Sequence, residues 1–209
     1  MKEYIKETVD TYNDFSNEYD NVTSGLVLEE EIVRFEKLLP GKNILEIGCG
    51  PGRDAAIFSS RGFQVTGIDI TPNFIKMAKS RVPAGKFFVM DVLDMKFNKG
   101  SFDGVWAVAS LHHLKRDDFS RAISMACSAL KKGGILFLTL KAGIGEGFEH
   151  SSNYGNRPRF FTYFSKAELK SVLQACGFEI IDCFISNERK RFGEQKRDID
   201  FVACFARKL

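Results

Sequence analysis

The sequence has no long apolar run: nowhere do about 18 consecutive apolar residues occur, the length that a membrane-spanning helix needs. Its first ten residues, MKEYIKETVD, are charged throughout and lack the apolar core of a secretory signal. Cysteine is scarce, with five residues in 209 and no Cys-x-x-Cys pair, which argues against a zinc knuckle and a redox dithiol. These absences predict a reduced, cytoplasmic protein with no metal site and no membrane association.

An excess of one charge is also missing. Thirty Lys and Arg against 27 Asp and Glu leave a net charge of +3, too weak a balance to predict nucleic acid as a partner. Hydrophobic residues make up 44% and charged residues 27%, which is ordinary for a globular chain that can bury a full core. We therefore expect one domain over residues 1–209, with its 20 phenylalanines in thick apolar layers or around an apolar pocket.

Short apolar runs alternate with stretches of helical period. The helical stretches include 117–132 and the helix that Thr71 and Pro72 begin, with Thr as the N-cap and Pro at the first helical position. This alternation predicts a parallel sheet with helices on both faces. The candidate strands are 43–48, 64–69, 86–91, 102–108 and 134–140.

The last third of the sequence has a different pattern. A helix over 166–176 ends at Gly177, and two candidate strands follow, 178–186 and 198–206. Because no helical pattern separates them, we expect this pair to be antiparallel. The basic stretch between them, NERKRFGEQKR (187–197), is expected to be a solvated hairpin tip; the alternative is contact with RNA phosphates.

Residues 141–165 form the longest segment without a clear period, and we expect a loop there. One interpretation is a plain surface connector. Its aromatic and arginine content favours a lid or a substrate wall instead.

The strongest signal is the glycine-rich sequence ILEIGCGPGRDA (44–55), where a buried strand runs into Gly48, Gly50 and Gly52. Such a turn lets a nucleotide-like ligand approach the backbone. Asp69 ends the second strand, where a carboxylate can bind a ribose diol, and Asp91 follows the third. These carboxylates and the acid inside the first strand, Glu46, could instead cap helices or pair with lysines.

The spacing of the glycines distinguishes between cofactors. The dinucleotide fingerprint G-x-G-x-x-G needs glycine or alanine at its sixth position, which is Arg53 here. With Glu46, Asp69 and Asp91, the G-x-G-x-G spacing resembles the class I S-adenosylmethionine-dependent methyltransferases. In that family the turn holds the methionine portion of the cofactor, the acid after the second strand binds the ribose, and the acid after the third lies against the adenine.

The resemblance extends over nearly the whole chain, through 11–20, 101–114, 130–140 and 160–181. It implies an α/β, Rossmann-like, doubly wound sheet of seven strands in the order 3-2-1-4-5-7-6, with strand 7 antiparallel. It also implies that residues 1–28 form a helical lid over S-adenosylmethionine or its product S-adenosylhomocysteine. The cofactor-binding residues it implies are Tyr12, Tyr19, Glu46, Gly48, Cys49, Gly50, Asp69, Ile70, Asp91, Val92 and Ala107.

The implied activity is methylation of O, N or S in a small molecule by in-line displacement. Motifs of the nucleic-acid-modifying members are missing after the fourth strand, where the sequence reads ASLH (109–112). The alternatives are an RNA-modifying methyltransferase and a silent cofactor-binding module. Binding of NAD in place of S-adenosylmethionine would favour an oxidoreductase. Replacing Asp69 by alanine is expected to weaken cofactor binding with little loss of stability.

His112 and His113 follow the fourth strand and are candidate general bases, although proximity alone can support methyl transfer. For the substrate side we expect Tyr154, Arg157, Arg159 and Tyr163, the arginines being suited to a carboxylate or phosphate. The N-terminal segment and 141–165 should close together above 107–113. The competing interpretation is that the aromatic residues 160–164 only pack beneath the following helix.

Overall fold

The computed structural model describes residues 2–209, and within that range a mixed sheet of seven strands forms the centre of the molecule. In chain order the strands are β1 (Asn43–Ile47), β2 (Gln64–Asp69), β3 (Lys86–Val89), β4 (Phe102–Val108), β5 (Leu130–Lys141), β6 (Glu146–His150), β7 (Pro158–Thr162), β8 (Phe178–Asn187) and β9 (Asp200–Lys208). The main sheet has the order β3-β2-β1-β4-β5-β9-β8. The strand β9 pairs antiparallel with both of its neighbours, β5 and β8, and the other pairs of this sheet are parallel. The predicted Rossmann-like fold and strand order are confirmed.

Helices cover both faces of this sheet. They are α1 (Glu3–Asp14), α2 (Ser16–Thr23), α3 (Glu29–Leu38), α4 (Arg53–Ser60), α5 (Pro72–Arg81), α6 (Arg116–Ala129), α7 (Lys166–Ala175) and the short α8 (Glu188–Phe192). Side chains of α1, α6 and α7 belong to one core layer, and those of α3, α4 and α5 to the other.

Neighbouring residues of the central strands point into opposite layers. Leu45 and Val105 pack with α1, α6 and α7, whereas Ile44 and Trp106 pack with α3, α4 and α5. Because successive side chains of a strand alternate between faces, a strand buried on both sides must be apolar throughout, as these runs are. The result is a rigid frame whose strand ends position the site.

The segment 141–165 is not a loop, contrary to the sequence-based expectation. It contains β6 and β7, which pair as an antiparallel hairpin with Phe148 opposite Phe160. The strand β6, EGFEH, has a single large apolar residue, Phe148, and that side chain is half exposed. Its sequence therefore lacks the alternation typical of a strand, and pairing with β7 determines its conformation.

The connection between β8 and β9 also differs from the prediction. The two strands are antiparallel as expected, but α8 lies between them. The Asn187 side chain accepts a hydrogen bond from the Lys190 backbone N–H at 3.0 Å and so caps the first turn. Five residues are too few to show a helical period, so this helix could not be recognised from its residue pattern.

Two further predictions concern helix boundaries. The helix expected over 166–176 is α7, and Gly177 after it has φ +87°, the left-handed conformation predicted for it.

In residues 2–209 no helix combines the length and the apolar character that crossing a membrane would require.

Candidate active site

The chain turns sharply after β1, at the glycine-rich sequence that leads into α4. Gly48 and Gly50 have φ of +69° and +52°, a region that glycine occupies without steric cost. A Cβ on Gly48 would lie 2.2 Å from the Cβ of Ser110, so the close approach of the chain after β4 also requires glycine here. A Cβ on Gly50 would meet only the Tyr19 ring, at 3.7 Å. The turn thus leaves open space beside its backbone.

Carboxylates stand beside this space at the ends of β2 and β3. Asp69 accepts hydrogen bonds from the backbone N–H groups of Gly50 at 3.0 Å and Thr71 at 2.8 Å, one on each oxygen. Burial raises the pKa of Asp69, while these backbone donors act in the opposite direction. One oxygen of Asp91 accepts from the N–H of Leu93 at 2.9 Å. Both carboxylates keep further lone pairs for a ligand.

A first cavity lies against the glycine turn and the two carboxylates. Aromatic rings form one wall, with centroids 5.2 Å apart for Tyr12 and Tyr19 and 4.9 Å apart for Tyr19 and Phe74. The other lining residues include Ile5, Thr8, Val9, Ile47, Gly48, Gly50, Asp69, Ile70, Thr71, Met90, Asp91, Val92, Ser110, Leu111 and His113. An apolar cleft with two carboxylates and a free backbone turn suits a nucleoside.

A second cavity lies beyond the ends of β4 and β5. The hairpin β6–β7, the segment around α8 and residues of α2 complete its walls. Tyr12, Tyr19 and Ala109 line both cavities. Ala109 has φ +50°, which is uncommon for a residue with a Cβ. Its N–H donates a hydrogen bond to the Thr139 hydroxyl at 3.0 Å. The two cavities therefore meet at a fixed backbone position.

Comparisons with known proteins point to one family. The family model described as "Methyltransferase domain" matches residues 45–138, which contain the glycine turn and both carboxylates. An O-methyltransferase of Aspergillus sclerotiorum is 32% identical over 158 residues, covering 68% of this chain and 56% of that protein. The chain belongs to the class I S-adenosylmethionine-dependent methyltransferases. The resemblance noted from the sequence is confirmed, and S-adenosylmethionine is the cofactor.

Solved structures share the fold of this methyltransferase. A S-adenosylmethionine-dependent methyltransferase from Methanosarcina mazei has a TM-score of 0.73 at 24% identity, covering 85% of this chain and 97% of that one. The 1,6-didemethyltoxoflavin-N1-methyltransferase of Burkholderia thailandensis, solved with 1,6-didemethyltoxoflavin and S-adenosylhomocysteine, has a TM-score of 0.71 at 20% identity, covering 100% and 91%. Among the curated relatives, by contrast, the chain spans about half of the matched proteins' length.

The first cavity of the methyltransferase fits the cofactor chemically. The open space beside Gly50 would be reduced by any side chain there, and the free lone pairs of Asp69 and Asp91 are acceptors for hydroxyl or amino groups. The buried carboxyl group of Glu46 is a separate feature of this region. It is 4% exposed, and its Oε2 has no hydrogen-bond partner among residues 2–209. Burial and the nearby Asp54 raise its pKa well above the usual range.

The two adjacent histidines have different surroundings. His113 lines the first cavity; its Nδ1–H donates to the Phe160 carbonyl at 2.6 Å, so its Nε2 accepts from the Tyr12 hydroxyl at 3.1 Å. Burial lowers the pKa of His113 to about 3. His112 lines the second cavity, and its Nδ1 accepts from the Lys141 N–H at 3.2 Å, which places its proton on Nε2. Burial lowers the pKa of His112 well below the usual range. Neither ring presents an unoccupied basic nitrogen to the second cavity.

Most of the cations in the second cavity are paired with carboxylates. Lys141 contacts Glu149 at 2.6 Å, and Arg53 contacts Asp54 at 2.6 Å. Arg191 pairs with Glu31, and Arg197 pairs with Glu188. Arg191 and Arg197 line the cavity, so the segment 187–197 is only partly the solvated tip that was expected. Arg191 pairs with Glu31 of α3, whereas Lys190, Glu194, Gln195 and Arg197 are exposed.

The predicted site residues fall into three groups. Tyr12, Tyr19, Gly48, Gly50, Asp69, Ile70, Asp91 and Val92 line the first cavity, and Tyr154 and Arg159 line the second. Cys49 and Ala107 have side chains in the core layers and line neither cavity. Arg157 and Tyr163 also lie outside both: Arg157 forms an ion pair with Asp14 at 2.9 Å, and the Tyr163 hydroxyl donates to Glu149.

Other residues of the site gave no recognisable signal in the sequence. Ala109 and Ser110 follow β4 in the family's post-strand segment, yet only the backbone path shows that Ala109 joins two cavities. Lys141, Glu188 and Arg197 come from elements that are distant in sequence, and their meeting depends on the hairpin and α8.

Proposed function

We propose that this chain transfers the methyl group of S-adenosylmethionine to a small molecule that binds in the second cavity. The observation that carries this proposal is the arrangement of two cavities that share Tyr12, Tyr19 and Ala109. A reaction between a cofactor and a separate acceptor needs two adjacent compartments with an opening between them.

Within the first cavity we assign the ribose to Asp69 and the adenine side to Asp91 and Val92. The turn at Gly48, Cys49 and Gly50 would hold the methionine portion through backbone groups. Glu46 lies within β1 and lines neither cavity, and its unpartnered buried oxygen supports a polar role next to the turn. When bound, S-adenosylmethionine supplies a methyl group that is already electrophilic.

The chain's own contribution is then orientation. Holding the two reactants in line can contribute about 7–11 kcal/mol to lowering the barrier in favourable cases. His113 orients the Tyr12 hydroxyl at the boundary of the cavities, and His112 presents an Nε2–H donor to the acceptor. Because the basic nitrogen of each imidazole already accepts a hydrogen bond and burial lowers both pKa values, we assign them positioning roles rather than that of a free base.

Oxygen is the accepting atom that the relatives favour, since the curated proteins matched include O-methyltransferases of Aspergillus sclerotiorum and Xanthomonas campestris. We assign none of these relatives' substrates to this chain. A cytoplasmic location stays a prediction from the sequence.

The test has two stages. Calorimetry should show binding of S-adenosylmethionine and S-adenosylhomocysteine, at least tenfold weaker for Asp91→Asn and unchanged for Asp94→Asn. Asn at 91 can keep the bond to the Leu93 N–H but replaces the free acceptor oxygen by a donor, whereas Asp94 is exposed. Absence of binding, or binding of NAD instead, would contradict the assignment.

The second stage supplies labelled methyl cofactor and a pool of small metabolites. Label should appear in a low-molecular-mass product, and the Tyr12→Phe variant should form it more slowly. Cofactor binding without any labelled product would indicate a silent binding module. Label in RNA, with binding that falls steeply with salt, would indicate the RNA-modifying alternative.

A further inference from the structure

One cation of the second cavity has no carboxylate partner among residues 2–209. Five Lys and Arg side chains line the cavity, and four of them form the ion pairs described above. Arg159 is the exception. It is only 5% exposed, although arginine is seldom buried without an acid beside it.

The nearest acid across the hairpin is already engaged. Glu149 stands opposite Arg159 in the pairing of β6 with β7, but both its oxygens contact Lys141 at 2.6 Å. Tyr163 donates to the same carboxylate. Glu149 is therefore the partner of Lys141 and Tyr163, and it forms no ion pair with Arg159.

The contacts that the Arg159 guanidinium makes within the chain offset only part of the cost of burying its charge. Its Nη1 donates to the Tyr12 hydroxyl at a long 3.3 Å, and its Cζ lies 4.3 Å from the Tyr154 ring centroid. Cation–π contacts of this kind offset only part of the desolvation of a buried charge. Its Nε is fully buried and has no hydrogen-bond partner in the described chain. The Nε–Nη2 edge is thus left without an acceptor.

A second donor, His112, lines the same cavity as Arg159. Arg159 and Phe161 point to the same side of β7, since they are two residues apart. The Phe161 ring is 5.2 Å from the Arg159 Cζ and 5.1 Å from the His112 ring. His112 carries its proton on Nε2, as its Nδ1 accepts from Lys141. A guanidinium edge and an imidazole N–H therefore flank one aromatic ring.

We propose that the methyl acceptor carries an anionic oxygen group, a carboxylate or a phosphate, and that Arg159 binds it with His112 as an auxiliary donor. A guanidinium edge matches two oxygens of such a group in a bidentate contact. The proposal rests on the proposed function, because it names the chemistry of the acceptor in the same cavity. It makes Arg159 the residue that selects charged over neutral acceptors.

The experiment uses the full chain saturated with S-adenosylhomocysteine and measures binding of three aromatic probes by calorimetry. Benzoate and phenyl phosphate carry the anion, and benzamide is the neutral match of benzoate. At least one anion should bind no less than tenfold more tightly than benzamide. The stronger anion distinguishes a carboxylate acceptor from a phosphate acceptor.

The variants then assign this preference to Arg159. Arg159→Gln should reduce anion binding at least tenfold and leave benzamide binding and S-adenosylhomocysteine binding within twofold. Arg121→Gln, at a 60% exposed arginine outside both cavities, is the matched control and should behave as the parent protein. Arg159→Lys should restore part of the anion binding, since lysine keeps the charge but not the two-pronged edge.

Several results would overturn the proposal. Equal binding of benzoate and benzamide by the parent protein, or no binding of either anion, would exclude an anion site whether or not a variant folds. Unchanged anion binding in Arg159→Gln would place the site elsewhere. Loss of S-adenosylhomocysteine binding in Arg159→Gln alone would reduce Arg159 to a support for Tyr12. Failure of the parent protein to bind S-adenosylhomocysteine would instead contradict the proposed function.

Discussion

At the scale of single residues, Asp69 combines a structural and a binding task. Each of its oxygens accepts a backbone N–H, one from the glycine turn and one from the start of α5. A residue placed at a strand end to face a ligand therefore also fixes the loop that carries the ligand's other contacts. The sequence expectation that Asp69 could be removed with little loss of stability does not take account of these bonds.

Asp69→Ala should lower the free energy of unfolding by about 2–4 kcal/mol, since two hydrogen bonds to a charged acceptor are lost. Denaturant unfolding with and without S-adenosylhomocysteine measures both tasks at once, because a ligand stabilises only the state that binds it. We expect the variant to be less stable and to gain little from the ligand. Asp94→Ala, at an exposed site, is the control. A variant as stable as the parent would make Asp69 a ligand-binding residue alone.

At the scale of elements, α1 and the hairpin β6–β7 are joined by two hydrogen bonds and an ion pair. The Thr8 hydroxyl accepts from the Phe160 N–H at 2.9 Å, and the Thr11 hydroxyl donates to the Pro158 carbonyl at 2.9 Å. Arg157 and Asp14 add an ion pair between the same two elements. The expected joint closure of both segments stays a prediction, but these bonds supply a physical connection for it.

Thr8→Val is the sharpest test of that connection. Valine keeps the shape but leaves the buried N–H of Phe160 without an acceptor, which costs about 1–3 kcal/mol. Hydrogen exchange should become faster in α1 and in the hairpin together. Thr23→Val removes only a bond within α2, to the Tyr19 carbonyl, and is the control. Faster exchange in α1 but not in β7 would show that the elements move separately.

Elements with a clear local pattern could be predicted from the sequence, and elements that are short or lack such a pattern were missed. The central strands are apolar on both faces, and α5 begins with Thr71 and Pro72, so each could be recognised within a short window. The strand β6 and the helix α8 carry no such pattern. The same division holds for the site: Gly48, Asp69 and Asp91 follow strand ends, whereas Lys141 and Arg197 reach the second cavity only through tertiary packing.

Phe160 to Phe164 illustrate a prediction with two competing outcomes. Phe164 packs on Phe119 with ring centroids 4.4 Å apart, so it belongs to the core, but Phe119 is on α6 and not on the helix that follows. Within β7, Phe160 packs on Tyr4 of α1 with ring centroids 4.8 Å apart, whereas its neighbour Phe161 lines the second cavity. Because successive side chains of a strand alternate between faces, a list of residue types could not resolve this division.

At the scale of the whole molecule, the buried histidines make stability depend on pH. The folded pKa of His113 is about 3, below the ordinary value near 6.5, and that of His112 is lowered in the same direction. A lowered folded pKa means that the unfolded chain binds more protons, so stability is complete above pH 6.5 and falls as the pH drops.

From pH 7 to pH 5, His113 alone should reduce the free energy of unfolding by about 2 kcal/mol, and His112 should add to this loss. Urea unfolding at several pH values measures it. His113→Asn, which can still donate to the Phe160 carbonyl, should flatten the dependence, and His150→Asn, at an exposed histidine, should not. Parallel curves for all three proteins would mean that His113 is protonated in the folded state.

The shared wall of the two cavities has a consequence for the order of events in a reaction cycle. Tyr12 and Tyr19 stand on α1 and α2, and each belongs to both cavities. A movement of these helices that released the spent nucleoside would also uncover the acceptor's compartment. Entry and exit of the two ligands would then be coupled in time. Lingering S-adenosylhomocysteine would retain the methylated product as well, and turnover would respond to the ratio of spent to fresh cofactor.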